Sequence, residues 1–437
     1  MVPVAVPGRA ARRQLRLAVR IAAAALCVAA LILLAVPLGR RSALPPPMVV
    51  HGRASLQVRS EAPVEVGAQK VPIEVPRGAP LGGYAGRRRA ESEGRVYARA
   101  LVLRSGEVRA VIVALDALLV SSDLEEEVLR RTQLPPRTCL LLAATHTHSG
   151  PGGTWDNALA ELAGNGRFDR GMRDAVAQAV ADAIRGALGY LRTGRFAIAQ
   201  VEWGDGPAVV RSAGPVDPTL LALQARDEGG LVVATLVVYA MHPTVLPSSS
   251  HVPSGDWPGA AARALEQDTQ APALVLQGAG GNATWSREGL PADGAGAAQA
   301  LGNRVARRAL DLLETAAWTG GAPLGCAATL HSLPPAQASA RIPWPLRRAA
   351  SNFLALWAEP FAVRTRLTIG PLRLGGVPGE PVGSLALAGA QERFIGLADG
   401  YVGYVEDPLR AEHGEGESLR TYHGPGLSRS LDLLEER

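Results

Sequence analysis

The sequence predicts an α/β protein, a layered domain of mixed β-sheets flanked by helices, with a transmembrane helix ahead of it. Three observations carry this expectation. Short β-type runs bounded by Gly and Pro alternate with stretches of helical spacing, hairpin and crossover signals are interleaved as they are not in a doubly wound parallel sheet, and an uncharged apolar run lies near the start. At 437 residues, 47% of them hydrophobic, the chain can bury a large core.

The apolar run, IAAAALCVAALILLAVPL from Ile21 to Leu38, is just long enough to cross a thin bilayer as a helix. Five arginines precede it (Arg9, Arg12, Arg13, Arg16, Arg20) and two follow it (Arg40, Arg41), a bias that keeps the N-terminus in the cytoplasm. The expected organisation is a cytoplasmic basic segment at 1–20, a signal anchor at 21–39, a linker at 40–62 rich in proline and polar residues, and a folded extracytoplasmic domain at 63–437. A cleaved signal peptide is the competing reading, but no A-x-A site follows the run. These arginines also explain the formal charge of +5: without them about −2 remains, so the chain has no basic footprint for nucleic acid.

Cys27 lies in the apolar run, leaving Cys139 and Cys326 as the one possible pair downstream. Because Cys139 opens CLLLAAT, a buried strand, a packed free thiol is expected there. Further strands are expected at VEVGAQKVPIEV, at ARALVLRSGEVRAVIVALDALLV as a hairpin, and at RFAIAQVEW, LVVATLVVYA and ALVLQG. Helical spacing marks Asp169 to Leu188, AAARALEQ, AGAAQALGNRVARRALDLLE and RRAASNFLALWA.

The sharpest chemical signal is ATHTHSGPGG, with His146 and His148 two apart after a strand. On extended backbone such side chains share a face, so both imidazoles can enter one site. Gly150, Gly152 and Gly153 would let backbone and substrate approach closely. In YAMHPTVLPSSSHVPSGDW, His242 again ends a β run, whereas His251 reads as a solvent-exposed loop histidine. Asp256 of SGDW could orient a ligand imidazole, with a plain turn aspartate as the equal alternative. Glu380, in VPGE, and the pair Tyr401 and Tyr404, in GLADGYVGYV, would by themselves be a solvated charge and packing aromatics.

Together, in this order, ATHTHSGPGG, YAMHPT with SGDW, VPGE, GLADGYVGYV and TYHGP resemble the landmarks of the neutral/alkaline non-lysosomal ceramidase catalytic domain, from about 64 to about 427. The resemblance implies a zinc ion held by His146, His242, Glu380 and Tyr404, with His148 and Arg211 as catalytic groups. It implies substrate contacts at Gly152, Asn282, Thr284 and Tyr422. The activity implied is hydrolysis of an N-acyl amide, a ceramide-like lipid, by a metal-activated water, with no covalent intermediate and no nucleic-acid partner. Two departures stand out. Asn282 occupies a loop where the family has Gly-Asp-x-Ser, and the stretch from Glu380 to Tyr404 is shortened; nor does anything beyond Leu419 resemble a separate β-sandwich. The alternatives are a zinc hydrolase of a non-lipid amide or ester and an anchored protein that binds without turnover.

Overall fold

The computed structural model describes residues 14, 18–28 and 56–434, apart from 86–88, 321–322, 345 and 389–390. In chain order the first strands are β1 (Leu56–Ser60), β2 (Val64–Val75), β3 (Gly94–Ser105) and β4 (Val108–Leu115), followed by α1 (Ser122–Thr132), β5 (Thr138–Ala144) and α2 (Arg170–Gly189). Then come β6 (Arg192–Glu202), β7 (Ala208–Val210), β8 (Thr219–Asp227), β9 (Val232–Tyr239), α3 (Asp256–Thr269), β10 (Ala273–Gln277), β11 (Ala283–Trp285) and α4 (Gly294–Glu314). The last third holds β12 (Trp318–Thr319), β13 (Leu324–Ser332), α5 (Leu346–Ala355), β14 (Phe361–Ile369), β15 (Leu372–Gly376), β16 (Glu380–Pro381), β17 (Arg393–Ile395) and β18 (Tyr404–Val405).

The large sheet runs β10-β9-β8-β6-β2-β3-β4-β5, with β12 paired to β6, and a smaller sheet runs β1-β13-β14-β15-β17. Both are mixed, as expected: β4–β5, β9–β10 and β15–β17 are parallel and their neighbours antiparallel. Alternation along the strands explains the layers. In β3, Ala100 and Val102 pack towards α1 and α2, while Leu101 and Leu103 face the small sheet. In β9, Val237 and Tyr239 pack with α3 and α4, while Leu236 and Val238 join that second core. Helices, large sheet and small sheet therefore stack in three layers.

Three features depart from the sequence reading. Leu56–Ser60, assigned to the linker on composition, is an edge strand whose Leu56 and Val58 alternate inwards against β13. Cys139 is not a free thiol: β5 and β13 lie on facing sheets with the Cα atoms of Cys139 and Cys326 6.0 Å apart, and the two are joined in a disulfide. Helix α1 lies in a stretch that sequence periodicity left unassigned. As to the predicted span at 21–39, residues 18–28 form an exposed helix and 29–39 lie outside the described residues, as does nearly all of 1–20. Among the described residues no helix is long and apolar enough to cross a membrane.

Beneath the carboxyl end of β5 lies a buried ion network. Arg99, 1% exposed, donates to Asp116 Oδ2 at 3.0 Å and Glu266 Oε1 at 2.8 Å, and Lys70 reaches the other oxygen of Glu266 at 2.7 Å. Asp116 also accepts from the Tyr97 amide at 3.0 Å. Removing one partner of such a network strands a buried charge. Asp116→Ala is expected to cost about 3–5 kcal/mol in chemical denaturation, and adding Arg99→Met should restore part of that loss.

Candidate active site

The site forms where parallel strands end. Thr145, His146, Thr147 and His148 leave β5, His242 follows β9, and the loop 278–282 follows β10, whose Gln277 pairs in parallel with Tyr239. Backbone amides fan out at such strand ends, and the connecting loops can bring side chains to one point. The short strands β16 and β18 pair in parallel with Glu380 directly opposite Tyr404, which sets the carboxylate beside the phenol. At Gly281 an added Cβ would lie 2.6 Å from the Glu380 carbonyl oxygen, so only glycine lets these two loops meet. His146 itself has φ +65°, an uncommon left-handed backbone state outside glycine, held by the Thr145 amide on Leu115 O at one side and by its ring at the other.

Each ring is oriented by a backbone carbonyl. His146 Nδ1 donates to Leu118 O at 2.7 Å and His242 Nδ1 to Gly280 O at 2.8 Å. Burial above all lowers the pKa of His242, which is therefore neutral, and a neutral ring with a proton on Nδ1 presents a bare lone pair at Nε2. The two Nε2 atoms stand 3.3 Å apart and lie 3.2 and 3.1 Å from Glu380 Oε2, an oxygen with no hydrogen-bond donor aimed at it. Tyr404 Oη is 3.2 Å from His242 Nε2. Glu380 is 4% exposed.

Several electron-pair donors thus face one another inside the protein, an arrangement that repels itself unless a cation lies among them. Tetrahedral bonds of about 2.0–2.2 Å imply ligand separations of about 3.3–3.6 Å, close to the spacings found here. The residues present fit a small divalent cation. His146, His148 and His242 offer ring nitrogens within 4.8 Å of one another. His148 Nε2, 3.4 Å from His146 Nε2, belongs to a side chain that also lines the adjoining cavity. Burial, followed by the two neighbouring histidines, holds its pKa well below the usual value.

That cavity has a volume of about 520 Å³. Its floor carries His146, His148, Arg211, Glu380 and Tyr404, and its walls include Leu118, Leu119, Trp155, Leu159, Trp357 and Val402. Concave apolar walls over a few convergent polar groups are the usual form of an organic ligand site. Arg211 is locked in place, donating to Gly281 O at 2.7 Å, Tyr404 Oη at 3.0 Å and Glu417 Oε1 at 2.7 Å. Tyr422 also lines the cavity, its hydroxyl pKa pushed up to about 12 by burial and then by Glu380.

Four expected site residues are placed elsewhere. Asp256 gives its carboxylate to the amides of Val245 at 3.1 Å, Leu246 at 3.0 Å and Trp257 at 2.7 Å, closing the loop that follows His242; the imidazoles take their orientation from carbonyls instead. Gly152 packs against Gly82 and Asn165, so it accommodates the chain itself. Asn282 donates to the carbonyls of Ala213, Gly214 and Pro215 at 2.8–3.3 Å and accepts from the Gly383 amide at 2.8 Å. An ionised carboxylate could not donate to those carbonyls, which suits asparagine to this position in place of aspartate. Thr284 pairs with Val209 between β11 and β7, outside the cavity lining.

Others were missed. Tyr401 donates to Glu380 Oε1 at 2.8 Å, leaving Oε2 to the cluster, so the two tyrosines of GYVGY divide the work. Glu417 holds Arg211 and carries no motif that would have announced it. Asp399, within the GLADGY stretch, accepts from the Leu142 amide at 2.9 Å beside buried Glu125.

Residues 75–281 match the family model described as neutral/alkaline non-lysosomal ceramidase, N-terminal. The neutral ceramidase of Pseudomonas aeruginosa is 27% identical over 194 residues, which are 40% of this chain and 29% of that protein. That of Mycobacterium tuberculosis is 28% identical over 209 residues, 41% of this chain and 32% of that protein. The matches therefore span about a third of these relatives' length. The crystal structure of the Pseudomonas aeruginosa neutral ceramidase superposes with a TM-score of 0.70 at 20% identity, covering 86% of this chain and 73% of that one. The resemblance read from the motifs is borne out, and the layered α/β fold is that of a ceramidase structure.

Burial pushes the Asp399 carboxyl up to about 7, while an unfolded aspartate releases its proton near ~4. The folded protein binds the extra proton between those values, so stability is highest below ~4 and falls as pH rises through ~7, by on the order of a few kcal/mol. Asp399→Asn should flatten that decline when urea midpoints are compared between about pH 5 and about pH 8; an unchanged slope would place its origin elsewhere.

Proposed function

We propose that the chain is a zinc-dependent amidohydrolase that cleaves the N-acyl amide bond of a ceramide-like lipid. The observation that carries this reading is the convergence of His146 Nε2, His242 Nε2 and Glu380 Oε2 at 3.1–3.3 Å, with Tyr404 beside them, on the floor of an apolar cavity. Nitrogen and oxygen donors in a compact buried set suit zinc. The relatives named neutral ceramidases support an amide-bearing lipid as the substrate class.

His146, His242, Glu380 and Tyr404 would hold the ion. When bound, such an ion supplies a Lewis acid for a carbonyl and lowers the pKa of water. His148, neutral at the edge of the cavity, can take a proton at Nε2 and return it to the departing amine. Arg211 adds a fixed positive charge where the carbonyl oxygen gains negative charge, and its bonds to Gly281, Tyr404 and Glu417 keep it from reorganising. The walls exclude water and accept apolar chains.

For location we read the run at 21–39 as a single-pass anchor with the catalytic domain outside the cytoplasm. The Cys139–Cys326 disulfide supports an oxidising compartment. Thiol titration of the denatured, unreduced protein isolated from its native host should therefore detect Cys27 alone, and three thiols would overturn the extracytoplasmic placement.

His146→Ala should lose most of the bound zinc in elemental analysis, together with fatty-acid release from ceramide-type substrates. His148→Ala should keep the metal and lose about 10²–10⁴-fold in kcat. Equal metal loss in both variants would reassign the pair. Stoichiometric zinc with ester turnover but no amide turnover in the wild type would remove the amidase reading and leave the metal site.

A further inference from the structure

Of the ten residues of α5 only Asn352 is buried. Its apolar residues nevertheless recur at helical spacing, Leu346, Ala350 and Phe353, a stripe of the kind that seals a helix onto a core. Here its two large members face solvent. Leu346 is 61% exposed and Phe353 40%, with Leu356 just beyond at 43% and Trp344 just before at 76%.

Both ends of this segment are fixed at the cavity. The Gln337 amide donates to Tyr422 O at 2.8 Å, and past the helix Trp357 and Ala358 form part of the wall, with Asn157 Nδ2 donating to Trp357 O at 3.4 Å. A second stretch, distant in sequence, behaves alike: Leu159, Ala160 and Ala163 line the cavity, while Leu162 between them is 70% exposed. Two separate walls of the mouth thus turn large apolar side chains outwards, more than scattered surface hydrophobics would give.

Cations accompany them. Arg341 and Arg348 are exposed, Arg341 being held to Gly414 O at 2.9 Å, and Arg420 at the cavity has a side chain 60% exposed. Of the neighbouring acids Glu359 and Glu161 are half-buried and Asp156 is exposed, and Arg341, Arg348 and Arg420 are set against these three. Aromatic and aliphatic residues flanked by arginine complement acyl chains beneath anionic headgroups.

We propose that the cavity mouth docks onto an anionic lipid bilayer. Trp344, Leu346, Phe353, Leu356 and Leu162 enter the interface, Arg341 and Arg348 meet headgroups, and an amphiphilic amide passes from the leaflet into the cavity without crossing water. The route for substrate rests on the amidase reading above; the docking itself does not.

The test uses the full chain with vesicles of phosphatidylcholine and phosphatidylglycerol carrying brominated acyl chains. The bromines should quench tryptophan emission, and Trp344→Phe should abolish most of that quenching, even where the N-terminal helix already holds the protein on the vesicle. The triple variant Trp344→Ser/Leu346→Ser/Phe353→Ser should hydrolyse a soluble short-chain amide as the wild type does, yet lose about tenfold or more on a long-chain amide embedded in the vesicle. Quenching that ignores Trp344, or vesicle turnover unaffected by the triple variant, overturns the proposal. So does a concentration-dependent dimer that the triple variant abolishes without lipid quenching, which would assign the face to a second copy of the chain. Where the wild type hydrolyses neither amide, the amidase reading fails, and Trp344 quenching alone decides the docking.

Discussion

The structure is organised around a repulsion. Two imidazole nitrogens and one carboxylate oxygen, all with electron pairs directed inwards, are held within 3.3 Å of one another where almost no water can separate them. While both Nε2 atoms are unprotonated, nothing in those three groups attracts the others. What keeps them together is the surrounding scaffold: carbonyls that fix each ring through Nδ1, the β16–β18 register that fixes Glu380 against Tyr404, and Gly281, whose missing side chain lets the loops close. A cation would offset such a cost, and on the proposed function the donor set would be in place before the ion binds.

The buried charges around the cluster serve the same end by a different route. Arg99 sits between Asp116 and Glu266 under the end of β5, and Thr145 Oγ1 lies 3.4 Å from Asp116 Oδ1, one residue before His146. On the other side Glu417 restrains Arg211, which restrains Tyr404. Ion pairs like these contribute little net stability compared with apolar packing, but they restrict geometry strongly because each misplacement exposes an unpaired charge. His146 at φ +65° is the point where that restriction is needed most, since the strand must turn sharply to deliver two rings within three residues.

How much of this was legible depended on whether a residue acts through local pattern or through distant contact. The strands carrying the histidines were readable because β5 and β9 are buried on both sides and so appear as continuous apolar runs. His146 and His242 stood out for the same reason, as polar residues ending such runs. Glu380 and Tyr404 were found only through the family resemblance, because a glutamate in a Gly/Pro loop has no distinguishing spacing. The sequence reading drew Asp256 towards a ligand imidazole and Asn282 towards the substrate for want of knowledge of their partners: each satisfies backbone groups that come together only in the folded chain. Likewise nothing local to Cys139 reveals that Cys326, 187 residues away, lies across the sheet interface, and Leu56–Ser60 became a strand because β13 offered it an edge.

The division between floor and walls bears on specificity. The floor is made from strand ends and their immediate loops, tied into the large sheet, and its chemistry is indifferent to what flanks a carbonyl. Besides Leu118, Leu119 and Val402, the walls draw on 155–163 and 357–359, segments that belong to neither sheet and meet where Asn157 Nδ2 donates to Trp357 O. Changes there alter which chains fit without disturbing the donor set, since an apolar wall discriminates by volume at roughly 1–3 kcal/mol per methylene or so, whereas moving a ligand atom undoes the site. On the proposed activity, substrate choice would therefore reside in walls that lie outside both sheets, beside the surface that turns its apolar side chains to the outside.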